Sequence, residues 1–304
     1  MRTGATIPLI GLGTWKSEPG KVRAAVTHAL KRGYAHVDCA SVYENEGEVG
    51  DALRGVFDST TLLREDVFIT SKLWNSDHAA DRVEPACKKS MDLLKVRYLD
   101  LYLVHWPVTG NRGAAVTPSI EETWRAMEAL VDEGLVRAIG VSNFSVEKME
   151  AISKYARHPI SVCQVECHPY WRQTELVKYC EANDIHVTAY SPLGSPDSAA
   201  MFKRDAPALM SDPVVIAAAE RAGKNVGQTL VRWALQTRPN CSVLPKSTDP
   251  ARIEGNLDVL DWSLDEEDAR ALSELPTRRR MVDGSFWLSP LGPYKTLEDL
   301  WDGP

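Results

Sequence analysis

A (β/α)8 TIM barrel of the α/β class, with extra helices and an irregular C-terminal tail, is the fold this sequence predicts. Three observations predict it. Short apolar, β-branched runs alternate along the chain with longer amphipathic stretches, and eight such runs occur. The turn after the first run reads Gly11-Leu12-Gly13-Thr14-Trp15-Lys16. It lacks the third glycine with which an open, doubly wound sheet grips a dinucleotide. Polar and aromatic residues recur just past the ends of the runs, where a barrel gathers its functional loops.

The runs that read as strands are 7–11, 35–38, 67–70, 101–104, 137–141, 162–165, 186–189 and 242–244. Helical periodicity fills the spaces between them. Residues 20–31 put Val22, Ala25, Val26, Ala29 and Leu30 on one face, and 119–133 do the same with Ile120, Trp124, Met127 and Leu130 or Val131. Ser145 reads as a helix N-cap, with Lys148 where a full capping box has Glu. Two helices, 213–222 and 227–236, fit between the seventh and eighth runs, and another, 265–275, follows the last. The segment 276–304 carries Pro290, Gly292, Pro293 and Pro304 and reads as an irregular tail. The expected organisation is one barrel domain, 1–304, with 276–304 closing the substrate pocket.

The barrel assignment sets a test inside the sequence. Asp38 ends the second run, with Tyr43 close behind; Lys72 and Trp74 follow the third, and His105 and Trp106 the fourth. Ser142 and Asn143 follow the fifth run, Gln164 and Glu166 lie at the sixth, Tyr190 and Ser191 follow the seventh, and Lys246 and Ser247 the eighth. Each has a structural reading when taken singly. Asp38 and Lys72 could be a buried ion pair, His105 a satisfied core histidine, Tyr43 a loop tyrosine, and the tryptophans caps on the core. Convergence on one rim weakens those readings together.

The set also makes chemical sense. Reducing a carbonyl requires a hydride and a proton. Tyrosine holds its proton tightly at neutral pH, and a neighbouring ammonium is expected to lower its pKa. A carboxylate would hold that lysine charged and in place. A histidine N–H can orient the carbonyl oxygen, and indoles exclude water. The sequence offers no metal-ligand spacing, so an organic cofactor is expected to carry the hydride.

The chain has 304 residues, 44% hydrophobic and 25% charged, a globular mixture with a formal charge of -7. An acidic balance argues against sequence-independent nucleic-acid binding, which rests on Lys and Arg against phosphate. The one dense basic run, Arg278-Arg279-Arg280, reads as a solvated surface stretch. Six cysteines without a CxxC pair suggest reduced thiols and a cytoplasmic location. Neither a signal peptide nor a transmembrane run is expected.

These residues resemble the aldo-keto reductase family along nearly the whole chain. The matching stretches are Gly11-Leu12-Gly13-Thr14-Trp15, Gly33-Tyr34-Ala35-His36-Val37-Asp38, Ile69-Thr70-Ser71-Lys72-Leu73-Trp74 and Leu99-Asp100-Leu101-Tyr102-Leu103-Val104-His105-Trp106-Pro107. They continue with Ile139-Gly140-Val141-Ser142-Asn143-Phe144, Ala189-Tyr190-Ser191-Pro192-Leu193-Gly194 and Leu244-Pro245-Lys246-Ser247. The tail, from Gly284-Ser285-Phe286-Trp287 through Gly292-Pro293-Tyr294-Lys295-Thr296, is similar to the plant aldose and aldehyde reductase branch.

The resemblance implies NADPH-dependent reduction of aldehydes and ketones by a single barrel, with Tyr43 as general acid, Lys72 tuning it, Asp38 paired with Lys72, and His105 orienting the carbonyl. It implies that Ser142, Asn143 and Gln164 grip the nicotinamide carboxamide and that Tyr190 stacks on its ring. Lys246, Ser247, Thr248 and Arg252 would hold the 2′-phosphate, and Asn256 the adenine. Gly13, Thr14, Trp15, Asp38, Ser191, Leu193 and Ser195 complete the implied cofactor contacts. Trp15, Val42, Tyr43, Trp74, His105 and Trp106 form the implied substrate pocket. Lys16 and Asp197 match a pair that bridges over the pyrophosphate in some relatives. The chain departs from many relatives at Gly255, where they carry a Glu near the adenine amine. The expected role is a monomeric, broad-range stress or detoxification reductase with a small-molecule carbonyl substrate. The alternatives are a reductase dedicated to a sugar phosphate or polyketide-type ketone, and a non-catalytic NADPH-sensing subunit.

Overall fold

Eight parallel strands carry the fold: β1 (Leu12–Gly13), β2 (His36–Asp38), β3 (Phe68–Leu73), β4 (Leu101–Val104), β5 (Ile139–Ser142), β6 (Val162–Glu166), β7 (His186–Tyr190) and β8 (Cys241–Leu244). Each pairs with its neighbour in sequence, in the order β1 to β8. The computed structural model describes residues 6–110, 113–195, 208–276 and 280–303. Arg278, Arg279 and Asp197 lie outside the described residues.

The first strand departs from expectation. The run 7–11 was expected to be β1, whereas the strand proper is Leu12–Gly13, paired with Val37 and Asp38. The earlier residues do a different job: Ile10 bridges Val243, Gly11 N–H donates to the Val243 carbonyl at 2.9 Å, and Val243 N–H donates to the Leu9 carbonyl at 2.8 Å. One extended stretch therefore serves both neighbours: residues 9–11 close the barrel onto β8, and Leu12 and Gly13 pair β2 while Gly13 N–H also donates to the Pro245 carbonyl at 3.2 Å. Gly11 is required there, because a Cβ would sit 2.6 Å from both His36 Nδ1 and Leu244 Cδ2.

Eleven α-helices are present among the described residues: α1 (Lys21–Lys31), α2 (Glu46–Ser59), α3 (Ala80–Leu94), α4 (Ile120–Asp132), α5 (Val146–Ser153), α6 (Thr174–Ala182), α7 (Pro213–Ala222), α8 (Val226–Thr237), α9 (Pro250–Leu257), α10 (Glu266–Ser273) and α11 (Leu297–Trp301). The expected face of α1 is the buried one: Val22, Ala25, Val26, Ala29 and Leu30. In α4, Ser119 and Glu122 form a capping box, and Trp124, Met127 and Leu130 are buried. Burying such side chains contributes about 1.5–3 kcal/mol each. Ser145 caps α5 by accepting from Lys148 N–H.

Inside the barrel, a polar layer lies across β2, β3, β7 and β8. His36 Nε2 lies 3.0 Å from Thr70 Oγ1, and His186 Nε2 lies 2.9 Å from Ser242 Oγ. Each histidine thus finds a buried hydroxyl partner through Nε2. The outer core, packed by the helices, is apolar.

The tail also departs from expectation, because it is not irregular throughout. A 3-10 turn, Ser285–Trp287, is followed by α11, which Thr296 caps by accepting from Asp299 N–H. The Lys148 ammonium donates to Asp302 at 2.5 Å and to the Leu300 carbonyl at 3.0 Å, and Ser145 also bonds Asp302. The prolines end the preceding turn, and the cap and these contacts restart helix after it.

Candidate active site

β3 runs past Thr70 to Leu73, carrying two polar residues that sequence reasoning left outside it. Lys72 is tolerated in a fully buried strand because three acceptors meet its ammonium. Nζ donates to Asp38 Oδ1 at 2.6 Å, to the Cys39 carbonyl at 2.9 Å and to Tyr43 Oη at 3.1 Å. Asp38, at the end of β2, is fixed from its other side by Gln164 Nε2 at 2.7 Å. Tyr43 arrives on the 3-10 turn Ser41–Tyr43 directly after β2.

The electrostatics correct one expectation. The ammonium was expected to bring the Tyr43 pKa below its ordinary value. Burial raises it more than Lys72 lowers it, and the hydroxyl is pushed up to about 12. Tyr43 therefore keeps its proton at neutral pH. For Lys72 burial acts in the lowering direction, but Asp38 and Tyr43 outweigh it and the ammonium is held charged. Burial, then the nearby Lys72 charge, keeps the His105 imidazole neutral. His105 stands edge-on to Tyr43 and Trp74, with ring centroids 5.8 and 5.2 Å away.

One cavity of about 1220 Å³ joins these groups to the ends of the later strands. Its size exceeds the roughly 300–1,000 Å³ of a drug-sized ligand pocket, as a dinucleotide plus a substrate would require. Among the described residues, every implied catalytic, cofactor and substrate contact lines it except Lys72, which lies wholly buried behind Tyr43. Trp15, Val42, Trp74 and Trp106 line the end near Tyr43. Gly13, Thr14, Ser142, Asn143, Gln164, Tyr190, Ser191, Leu193 and Ser195 line the middle. Lys246, Ser247, Thr248, Arg252 and Asn256, from the loop after β8 and from α9, line the cavity too.

Several of these side chains are fixed before any ligand arrives. The Tyr190 hydroxyl donates to Asn143 Oδ1 at 2.7 Å, and Asn143 Nδ2 donates to the His105 carbonyl at 3.0 Å. Asn143 and Ser191 hold left-handed backbone, φ 62 and 50, at the ends of β5 and β7. Such conformations persist where surrounding structure imposes them. Asp249 caps α9, which carries Arg252 and Asn256, by accepting from Arg252 N–H. Lys16 Nζ lies 3.5 Å from Ser195 Oγ; its expected partner Asp197 is outside the described residues.

The donor set fits NADPH. Amides, hydroxyls and an aromatic ring line the cavity with Asp38, and two cations with two hydroxyls line it after β8, the combination a phosphate dianion selects. Sequence reasoning missed Asn225, Val226 and Gly227 at the start of α8, and Val282, Phe286 and Trp287 in the tail. The Asn225–Gln228 capping box is legible in the sequence, but it marks a helix start and carries no sign of a pocket.

Comparison with known proteins finds relatives along nearly the whole chain. The model of the aldo/keto reductase family matches residues 9–276. The chain is 46% identical to Aldo-keto reductase family 4 member C11 of Arabidopsis thaliana, over 100% of this chain and 96% of that protein. It is 45% identical to the human Aldo-keto reductase family 1 member A1, over 93% and 90%. Among solved structures, a Bombyx mori aldo-keto reductase in complex with NADP superposes with a TM-score of 0.86 at 34% identity, covering 96% of each chain. The aldose reductase of Schistosoma japonicum gives 0.84 at 39% identity, covering 97% of each.

Proposed function

The chain belongs to the aldo/keto reductase family, and from that premise we propose that it is a broad-range reductase of reactive aldehydes and ketones, serving stress defence and detoxification, with Tyr43 as its general acid. The reaction is NADPH-dependent reduction of a carbonyl to an alcohol. The observation that carries the assignment of roles is the buried chain Asp38–Lys72–Tyr43, 2.6 and then 3.1 Å long, ending at a phenol on the cavity wall.

When bound, NADPH supplies the hydride. Tyr43 gives its proton to the carbonyl oxygen from Oη. Lys72 stabilises the phenolate left behind, and Asp38 keeps Lys72 charged and aimed. Neutral His105 hydrogen-bonds the carbonyl oxygen and fixes its approach. Ser142, Asn143, Gln164 and Tyr190 would hold the nicotinamide end of the cofactor, Lys246, Ser247, Thr248 and Arg252 its 2′-phosphate, and Asn256 its adenine. Trp15, Trp74 and Trp106, with Trp287 of the tail packed against the last two, exclude water.

We place the protein in the cytoplasm as a monomer. Its six cysteines are buried and unpaired, which suits a reducing compartment. No described helix is long and apolar enough to cross a membrane. The test is turnover of a broad aldehyde panel, followed by the absorbance of reduced nicotinamide. Tyr43→Phe should lower kcat by about 10²–10⁴-fold while NADPH binds with unchanged affinity. Normal turnover by that variant would overturn the mechanism, and no turnover of any aldehyde by the native protein would favour a cofactor-sensing subunit.

A further inference from the structure

Glu166 stands at the C-terminal end of β6, two residues beyond Gln164, and the roles above leave it unused. Its carboxylate is 1% exposed. Both oxygens are engaged, and two of the three donors come from the tail. Met281 N–H donates to Oε1 at 2.7 Å and Val282 N–H to Oε2 at 2.8 Å, while His168 Nε2 lies 2.9 Å from Oε1. Two successive backbone N–H groups directed at one buried carboxylate form a tight, charge-assisted clamp.

The clamp fixes the start of the tail's contribution to the cavity. Val282 lines the cavity itself. Gly284 then turns the chain at φ 80, with no room for a side chain: a Cβ would meet Leu300 Cδ2 at 2.6 Å and Trp106 Cζ3 at 3.0 Å. The turn delivers Phe286 and Trp287 against the indoles of the barrel. Trp287 lies 5.6 Å from Trp74 and 6.3 Å from Trp106 between ring centroids, and Phe286 lies 5.8 Å from Trp106.

We propose that Glu166 is a positioning residue for the substrate, clamping Met281 and Val282 so that the Phe286–Trp287 wall is held at a fixed distance from His105 and Trp74. The inference rests on the reading that this end of the cavity receives the carbonyl compound. Glu166 acts through the tail and touches neither the carbonyl nor the proton donor. It thereby ties the strand carrying Gln164 to the wall that a bulky substrate touches.

The experiment is Glu166→Gln, which places an amide NH2 against a backbone N–H and breaks one half of the clamp. KM and kcat are measured with a bulky aromatic aldehyde and with a small aliphatic one, alongside NADPH affinity by fluorescence and hydrogen exchange at Met281 and Val282. The expected result is a KM about tenfold higher for the bulky aldehyde, kcat and KM for the small one within about twofold, and faster exchange at both amides. Met281→Pro removes one donor from the tail side, leaves the barrel intact and should reproduce the split. An equal rise in both KM values, or an unchanged KM ratio in the two variants, overturns the proposal. Because the small aldehyde reports on the chemistry separately, failure here is distinct from failure of the Tyr43 mechanism.

Discussion

The Lys72 ammonium donates a hydrogen bond to the Tyr43 hydroxyl at 3.1 Å, which leaves the phenol's own O–H to donate elsewhere. Burial holds that phenol protonated and the lysine behind it holds a positive charge. The pair is thus set for the moment when the proton leaves: the phenolate forms beside a cation that is already in place and needs no reorganisation.

Lys72→Met should therefore harm both chemistry and stability. It leaves Asp38 buried without its cation, although Gln164 still donates to it. Losing one partner of a buried pair costs about 3–5 kcal/mol. Urea unfolding should show a lower midpoint and steady-state assays a kcat near that of Tyr43→Phe. A variant with native stability would show that the pair is not held as described.

Lys246→Ala combined with Arg252→Ala should raise KM for NADPH far more than for NADH. Charge-assisted hydrogen bonds contribute about 1.5–3 kcal/mol each, and NADH carries no 2′-phosphate to lose them. Equal losses with the two cofactors would contradict a phosphate site at Lys246 and Arg252.

Gly284→Ala should loosen the tail by crowding Leu300 and the rim residue Trp106, leaving the strands and Tyr43 in place. The position has φ 80 and lies against Leu300 and Trp106. Catalysis of a small aldehyde should persist while KM for a bulky aromatic one rises. An unchanged bulky-substrate KM would show that the wall tolerates displacement.

Stability should fall on the acid side before the carboxylates titrate. Burial lowers the pKa of His36 to about 3 and of His78 and His186 to about 4. A base with a depressed folded pKa is neutral in the native state. Its contribution is present above the unfolded value near 6.5 and is lost as pH falls toward 4 and below. Each such histidine steepens the decline by up to about 1.4 kcal/mol per pH unit. Urea unfolding between pH 7 and 5 measures the slope, and His36→Gln should flatten it; an unaltered slope would mean that His36 is protonated in the native state.

The sequence by itself determined the barrel, the eight-strand order and the identity of the chemical groups. Those features follow from local periodicity and from residues placed at the ends of successive runs, and parallel neighbours in sequence order became neighbours in space. Even the faces of α1 and α4 were legible, because a 3.6-residue period needs no partner to be seen. Tertiary structure decided what depends on distant segments meeting. The split duty of residues 9–13 depends on β8, and the extension of β3 through Ser71 and Lys72 depends on acceptors from β2 and the turn after it. The direction of the Tyr43 shift depends on how completely the phenol is buried, a quantity no spacing encodes. The substrate wall is the clearest case. Val282, Phe286 and Trp287 reach the cavity because Glu166, more than a hundred residues earlier, binds two amides of a tail whose prolines read as irregular chain.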